Sequence, residues 1–282
     1  MNLSVDRVAQ CAQLAMLIEL SSSPKPGNVD RCHDFPDTGF HHFLVSCVSA
    51  YPVFWRAACG KGRAGSLILD GVKAWSDWNI GNNTHFGSLI LMIPLAMAAG
   101  RAGPLRGELT AILENTTVED AVDFYQAFDI AGARVADVDE FSLKDPNSAK
   151  RLYQENRTLL DLMRLSQGHD LIAREWATSY ERSFRLAVRL EERVHCQGLN
   201  EGVVRTFLEA LAEMPDSLIE AKFGKRKAKE VCIKADQALK DKTLDSARRL
   251  DQELLAGDIN PGSTADLIAA SLFISLLKGL RF

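Results

Sequence analysis

Apolar residues in this chain recur at spacings of three and four, and nowhere do they alternate with polar ones over the length of a strand. That property confines the fold to helices packed on helices. From Leu3 to Leu20 the apolar positions (Leu3, Val5, Val8, Cys11, Leu14, Ala15, Leu17, Ile18) occupy more than one side of a helix, which predicts a wide buried face. The run Ser-Ser-Ser-Pro-Lys-Pro-Gly ends that helix, because proline disfavours helix at its own position and the one before it. Helical patterns resume over Phe43 to Ala58, Leu67 to Trp78 and Thr84 to Ala99, with Gly-rich breaks at 60 to 65 and around Gly81. Thr116-Thr117-Val118-Glu119 has the form of a capping box opening a helix to about Ala131. After the break at Asp145-Pro146-Asn147, helices are predicted over 149–166, 170–195, 201–213, 225–241, 244–255 and 264–280. The expectation is an all-α fold, a single globular domain over 1–282 of roughly ten packed helices.

At 282 residues, 46% hydrophobic and 25% charged, the chain can bury a substantial core and leaves no room for a long disordered tail. A net charge of −4 excludes a broad basic surface, so no nucleic-acid partner is expected. The apolar stretch Phe86 to Ala99 is shorter than the roughly 20 residues that cross a bilayer, and Met-Asn-Leu-Ser-Val-Asp-Arg is not a signal peptide, so no membrane partner is expected. Cysteines 11, 32, 47, 59, 196 and 232 form no C-x-x-C pair, which fits free thiols in a reducing cytoplasm. The expected partners are small molecules, and a homodimer is compatible with all of this.

Three segments concentrate chemistry. Pro24 to Asp34 is stiffened by two prolines and presents Lys25, Asp30, Arg31, His33 and Asp34 within eleven residues. The cations could hold phosphate oxygens, and the carboxylates could bind Mg²⁺ or act as bases. As a plain surface loop, the same charges would simply be solvated. Gly81-Asn82-Asn83-Thr84-His85-Phe86-Gly87 runs straight into an apolar helix. Capping explains one or two of its polar residues, but not His85 between two glycines of the kind that let a ligand approach the backbone. Asp258-Ile259-Asn260-Pro261-Gly262-Ser263-Thr264-Ala265-Asp266 reads as a helix start with Asn or Ser as cap and Pro in the first turn. Its free N–H groups could bind a phosphate, and Asp266 either balances the helix dipole or binds a metal.

Two signals fail their context. Gly60-Lys61-Gly62-Arg63-Ala64-Gly65 matches G-x-G-x-x-G, but no βαβ unit surrounds it, so it reads as a loop between helices. The dipeptides His33-Asp34 and His169-Asp170 are too short to establish a metal site, and no G-x-x-x-x-G-K-[ST] loop is present.

Taken in order, the three segments resemble the triphosphoribosyl-dephospho-CoA synthase family. Its pattern runs S/T-P-K-P-G-x-V-D-R, then N-T-H-x-G, then P-G-[GST]-[ST]-A-D-L, and here Ser23 to Arg31, Asn83-Thr84-His85 with Gly87, Gly132-Ala133-Arg134, Asp170 and Pro261 to Leu267 match. The resemblance implies an all-α enzyme in which ATP loses adenine while its 5-triphosphoribosyl group moves to the 2′-hydroxyl of 3′-dephospho-CoA. By the same resemblance, Lys25, Gly27, Arg31, Asn83, Thr84, Gly87, Arg134, Gly262 and Ser263 bind nucleotide. Asp30, Asp34 and Asp266 hold Mg²⁺, and Asp30, His85, Asp34 and Asp170 carry catalysis. The chain departs from the family at Phe86, where many members have Lys, and at Leu171-Ile172, where many have Thr-Asn. These departures suggest a divergent branch with a different acceptor. Two other readings stay open: a Mg²⁺-dependent nucleotide or ribosyl hydrolase, and a nucleotide-binding protein without activity.

Overall fold

The Ser4 hydroxyl accepts the Arg7 N–H at 3.1 Å and opens the first helix, α1 (Val5–Ser21). This computed structural model describes residues 3–35, 38–78, 80, 84–132 and 148–282. After α1 come α2 (Phe40–Ser49), α3 (Tyr51–Ala58), α4 (Ala64–Ser76), α5 (Phe86–Ala99), α6 (Leu105–Glu114), α7 (Val118–Ala131) and α8 (Ser148–Glu155). The second half contains α9 (Leu159–Ser166), α10 (Leu171–Ala177), α11 (Glu181–Gln197), α12 (Leu199–Glu213), α13 (Ser217–Phe223), α14 (Lys225–Leu239), α15 (Asp245–Ala256) and α16 (Gly262–Lys278). The fold is all-α as expected. Among the described residues only two isolated bridges, Asp30 with His33 and Phe35 with Thr38, carry any β pairing.

There are more helices than the sequence suggested, because several long apolar patterns are broken by features that periodicity does not report. The stretch 43–58 divides at Ala50, since Pro52 has no N–H to continue the ladder. The stretch 149–166 divides at Asn156, with φ 51°, and Thr158 then opens α9 in a reciprocal cap with Asp161. The stretch 170–195 divides at Ser179 and Tyr180, both at positive φ. Helices α6 and α13 were not anticipated. The capping box of α7 lies one residue further on than predicted: Thr117 pairs with Asp120, while Thr116 donates to Leu113 O and accepts the Leu160 N–H.

Helices α1, α5 and α16 form the centre, with α3 against α1 and α5, and α11 and α12 against α16. α5 and α16 are apolar nearly all round because neighbours cover them on all sides. α5 carries Pro94 in its interior. A proline there leaves the carbonyl four residues earlier, that of Ile90, without its helical donor. Trp176 Nε1 at 3.2 Å supplies a donor to it, and the Tyr180 hydroxyl shares its one proton between Leu91 O at 3.0 Å and Ile90 O at 3.4 Å. The Gly60–Gly65 stretch is a helix link, as read. Gly65 opens α4 where a Cβ would lie 2.3 Å from Asp120 O of α7, and its N–H donates to Asp120 Oδ1 at 2.8 Å. No helix among the described residues is long and apolar enough to cross a membrane.

Candidate active site

The loop after α1 folds around a buried ammonium group. Lys25 is 0% exposed, and its Nζ donates to Glu19 Oε1 at 2.5 Å, Asn28 Oδ1 at 2.9 Å and Val29 O at 3.3 Å. These three acceptors use all three ammonium protons. Glu19 comes from the buried side of α1, and burial raises its pKa, with Lys25 opposing the rise and Asp30 adding to it. Asn200 clamps the loop's entry, accepting the Ser23 N–H at 3.0 Å and donating to Ser23 O at 2.7 Å. Asp30 is buried and accepts the Cys32 N–H at 2.7 Å. Gly27, at φ 75°, lies where a Cβ would come 2.2 Å from Ile259 O, and its N–H donates to Asp251 Oδ1 at 2.9 Å. His33 Nδ1 stands 3.4 Å from Asp30 Oδ1 and 3.3 Å from Asp251 Oδ2. Arg31 and Asp34 are exposed, and Asp34 Oδ1 accepts the Phe40 N–H at 2.5 Å at the start of α2.

The second segment meets the third where α5 begins. His85 occupies the N-cap position of α5 but makes no side-chain cap bond there. Ser46 Oγ donates to Phe43 O at 3.0 Å, so it accepts the His85 Nδ1–H at 2.5 Å, and His85 Nε2 faces Cys47 Sγ at 4.0 Å. The ring packs edge-on against Phe43. Burial, with nearby Lys25, lowers the His85 pKa to about 3, so the ring is neutral at physiological pH. Thr84 Oγ1 is buried and has no hydrogen-bond partner among the described residues.

Asp266, in the second turn of α16, reaches the first turn of α5: the Ser88 hydroxyl donates to Asp266 Oδ1 at 2.6 Å. A Cβ on Gly87 would lie 2.1 Å from Asp266 Oδ2. Glycine is needed there for an approaching carboxylate. Burial raises the Asp266 pKa to about 8 against the Ser88 bonds, and the charges of Glu19 and Asp216 add to the rise.

The cap of α16 differs from the expectation. Pro261 holds the N-cap position, and neither Asn260 nor Ser263 caps the helix. Asp216, the N-cap of α13, does so from a distance. Its Oδ2 accepts the Thr264 N–H and the Thr264 hydroxyl, each at 2.7 Å, while Oδ1 accepts the Leu218 and Ile219 N–H groups. One carboxylate therefore caps two helices. The Thr264 N–H is consequently not free for a phosphate, whereas those of Gly262 and Ser263 have no protein acceptor among the described residues. Ser217 links onward, with its Oγ 2.9 Å from Ser263 Oγ and accepting the Leu171 N–H at 3.2 Å. That places Asp170, the N-cap of α10 and raised in pKa by burial, on the far side of the α16 start.

The three segments thus converge. Asn28 Nδ2 donates to Asn260 Oδ1 at 2.9 Å, joining first to third, and Asp266 joins third to second. Asn83 and Arg134 lie outside the described residues. Glu19, Asp216 and Asp251 belong to no motif and were not anticipated, although each has a visible signal. Glu19 is a charge amid the apolar face of α1, Asp251 stands beside Leu250 on the buried stripe of α15, and Pro215-Asp216-Ser217 is a helix-start pattern. Among the described residues no three His, Cys, Asp or Glu side chains are grouped to hold a metal ion, so Asp30, Asp34 and Asp266 do not form one cage.

Over residues 5–281 the chain matches the model of the CitG family, ATP:dephospho-CoA triphosphoribosyl transferase. The chain belongs to the CitG family. A crystal structure described as that of a triphosphoribosyl-dephospho-CoA synthase from Archaeoglobus fulgidus is 28% identical and superposes with a TM-score of 0.71, covering 84% of this chain and 100% of that one. As a CitG-family transferase, the protein moves a triphosphoribosyl group from ATP to dephospho-CoA. The positions that depart from the family pattern face the interior. Phe86 is buried, with its ring 5.9 Å from that of Phe124 and 6.1 Å from that of Phe128, and Leu171 and Ile172 are buried as well. In this fold their apolar side chains serve packing.

Proposed function

We propose that the junction of the Lys25 loop, the start of α5 and the start of α16 is where the 5-triphosphoribosyl group of ATP passes to the 2′-hydroxyl of 3′-dephospho-CoA. The contact of Asp266 with Ser88 over Gly87 carries this reading, because it brings two distant segments together around a carboxylate with one oxygen unbonded among the described residues. In the transfer the bond from ribose C1 to adenine breaks, a bond from C1 to the acceptor oxygen forms, and the hydroxyl proton leaves with adenine. Positive charge develops at C1, and carboxylates around the site favour it.

The free N–H groups of Gly262 and Ser263 at the α16 start receive the triphosphate, with Arg31 exposed on the first segment to meet it. Lys25 shapes the loop in place of touching phosphate, since its protons are all in use. Mg²⁺ fits a carboxylate whose charge is poorly compensated, as the raised Asp266 is, and it usually binds through one or two carboxylates together with substrate phosphates. Asp266 would hold it with the triphosphate, and the ion would supply charge neutralisation there. Asp34, the exposed carboxylate of the first segment, takes the hydroxyl proton and passes it to the departing adenine, while buried Asp30 and neutral His85 hold the site's walls. Asp170 caps α10 by accepting the Ala173 N–H, and the Leu171 N–H beside it reaches the α16 start through Ser217. Six free cysteines fit a cytoplasmic setting, and a homodimer is compatible with the fold.

The test is to incubate the purified protein with ATP, Mg²⁺ and dephospho-CoA and to follow adenine by chromatography. One adenine released per acceptor consumed is expected. Formation of ADP or AMP with phosphate, or ATP binding without turnover, would overturn the reading in favour of a hydrolase or a binding protein.

A further inference from the structure

A chain of hydrogen bonds runs from α1 to the loop before α16, and its direction is fixed at every link. Lys25 Nζ can only donate, so the oxygen of the Asn28 amide must face it, as it does at 2.9 Å. The Asn28 Nδ2 then points the other way and can only donate, so Asn260 must present its own oxygen, as it does at 2.9 Å. Asn260 Nδ2 is therefore turned away from this chain, and among the described residues it has no protein acceptor. Glu19 anchors the far end on Lys25. A buried ion pair thus sets the orientation of one half-buried amide.

We infer that Asn260 is a substrate-contacting residue whose Nδ2–H donates to a phosphate oxygen of bound ATP, with Glu19, Lys25 and Asn28 as positioning residues that hold it. This rests on the assignment of the triphosphate to the α16 start. Asn260 lies two residues before Gly262, and its Oδ1 stands 3.7 Å from where a Cβ on Gly262 would be, beside the free N–H groups there. The ammonium of Lys25 is spent inside the loop, so an uncharged donor does this work beside buried carboxylates. A short chain of polarised bonds strengthens that donor.

Asn260→Asp keeps the oxygen that meets Asn28 and exchanges the outward donor for an acceptor. The KM for ATP is expected to rise about tenfold or more, and inhibition by inorganic tripolyphosphate with Mg²⁺ to weaken in parallel, the scale of one hydrogen bond lost and one repulsion gained. Thermal unfolding should stay near that of the unsubstituted protein. Asn28→Asp, which turns Asn260 without touching phosphate, should reproduce the loss of tripolyphosphate inhibition. Tripolyphosphate inhibition within twofold of normal in Asn260→Asp would overturn the inference, as would a fall in kcat with both KM and inhibition unchanged. If a variant folds poorly, the shift in unfolding temperature produced by tripolyphosphate, read on the folded fraction, decides in the same way. Adenine release by the unsubstituted protein, measured alongside, shows separately whether the transferase reading itself holds.

Discussion

Lys25 and Asp266 are both ionisable groups in the interior, contributed by opposite ends of the chain, and the fold treats them in opposite ways. Lys25 has a partner for each proton, one of them an anion. Asp266 has donors only on one side, from Ser88, and neighbouring carboxylates work against its charge. A buried group with all its partners is fixed in place, whereas one left partly unmatched costs stability unless something else binds it. The difference separates the part of the junction that shapes the loop from the part left for a ligand.

The contrast is broken most severely from the Lys25 side. Lys25→Met leaves Glu19 buried without its cation and should cost about 3 kcal/mol, seen as a lower urea midpoint. Next, Gly87→Ala drives a methyl group into Asp266 Oδ2 and should cost about 1–3 kcal/mol, with adenine release falling further than stability does. Equal losses in the two would show that Asp266 is only structural.

A pH series on Asp266→Asn sharpens the comparison. Because the folded-state pKa of Asp266 is raised from 3.8 to about 8, the native protein binds the proton more tightly than the unfolded chain does. Native stability should therefore fall as pH rises through that window in metal-free buffer. Asp266→Asn should flatten the fall, unfolding later than the unsubstituted protein at pH 8.5 while losing adenine release. An unchanged pH profile in melting experiments would contradict the burial argument. The smallest effect is expected at exposed Arg31: Arg31→Ala should move stability by less than about 0.5 kcal/mol while raising the KM for ATP.

The segments that carry proline, glycine and asparagine were legible in the sequence because those residues act through local backbone chemistry. Gly27 and Gly87 do meet close approaches, although of Ile259 O and Asp266, where the sequence suggested a ligand. What could not be read was pairing at a distance. Lys25 looks like any loop cation until Glu19 is found six residues back on a buried helix face. Asp216 caps a helix through Thr264, 48 residues away, and no local pattern announces that. The helix count was underestimated for a related reason. The breaks at Asn156 and Tyr180 depend on backbone angles that neither glycine nor proline marks.

Pro94 has a consequence for how the two halves of the chain find one another. By stripping the Ile90 carbonyl of its helical donor, it creates a socket on α5 that stays unsatisfied in the apolar core until Trp176 and Tyr180 arrive. A misplaced docking of the later helices could bury just as much hydrocarbon, yet it would strand that oxygen. The proline therefore works as a registration mark, penalising near-miss assemblies more than it favours the correct one.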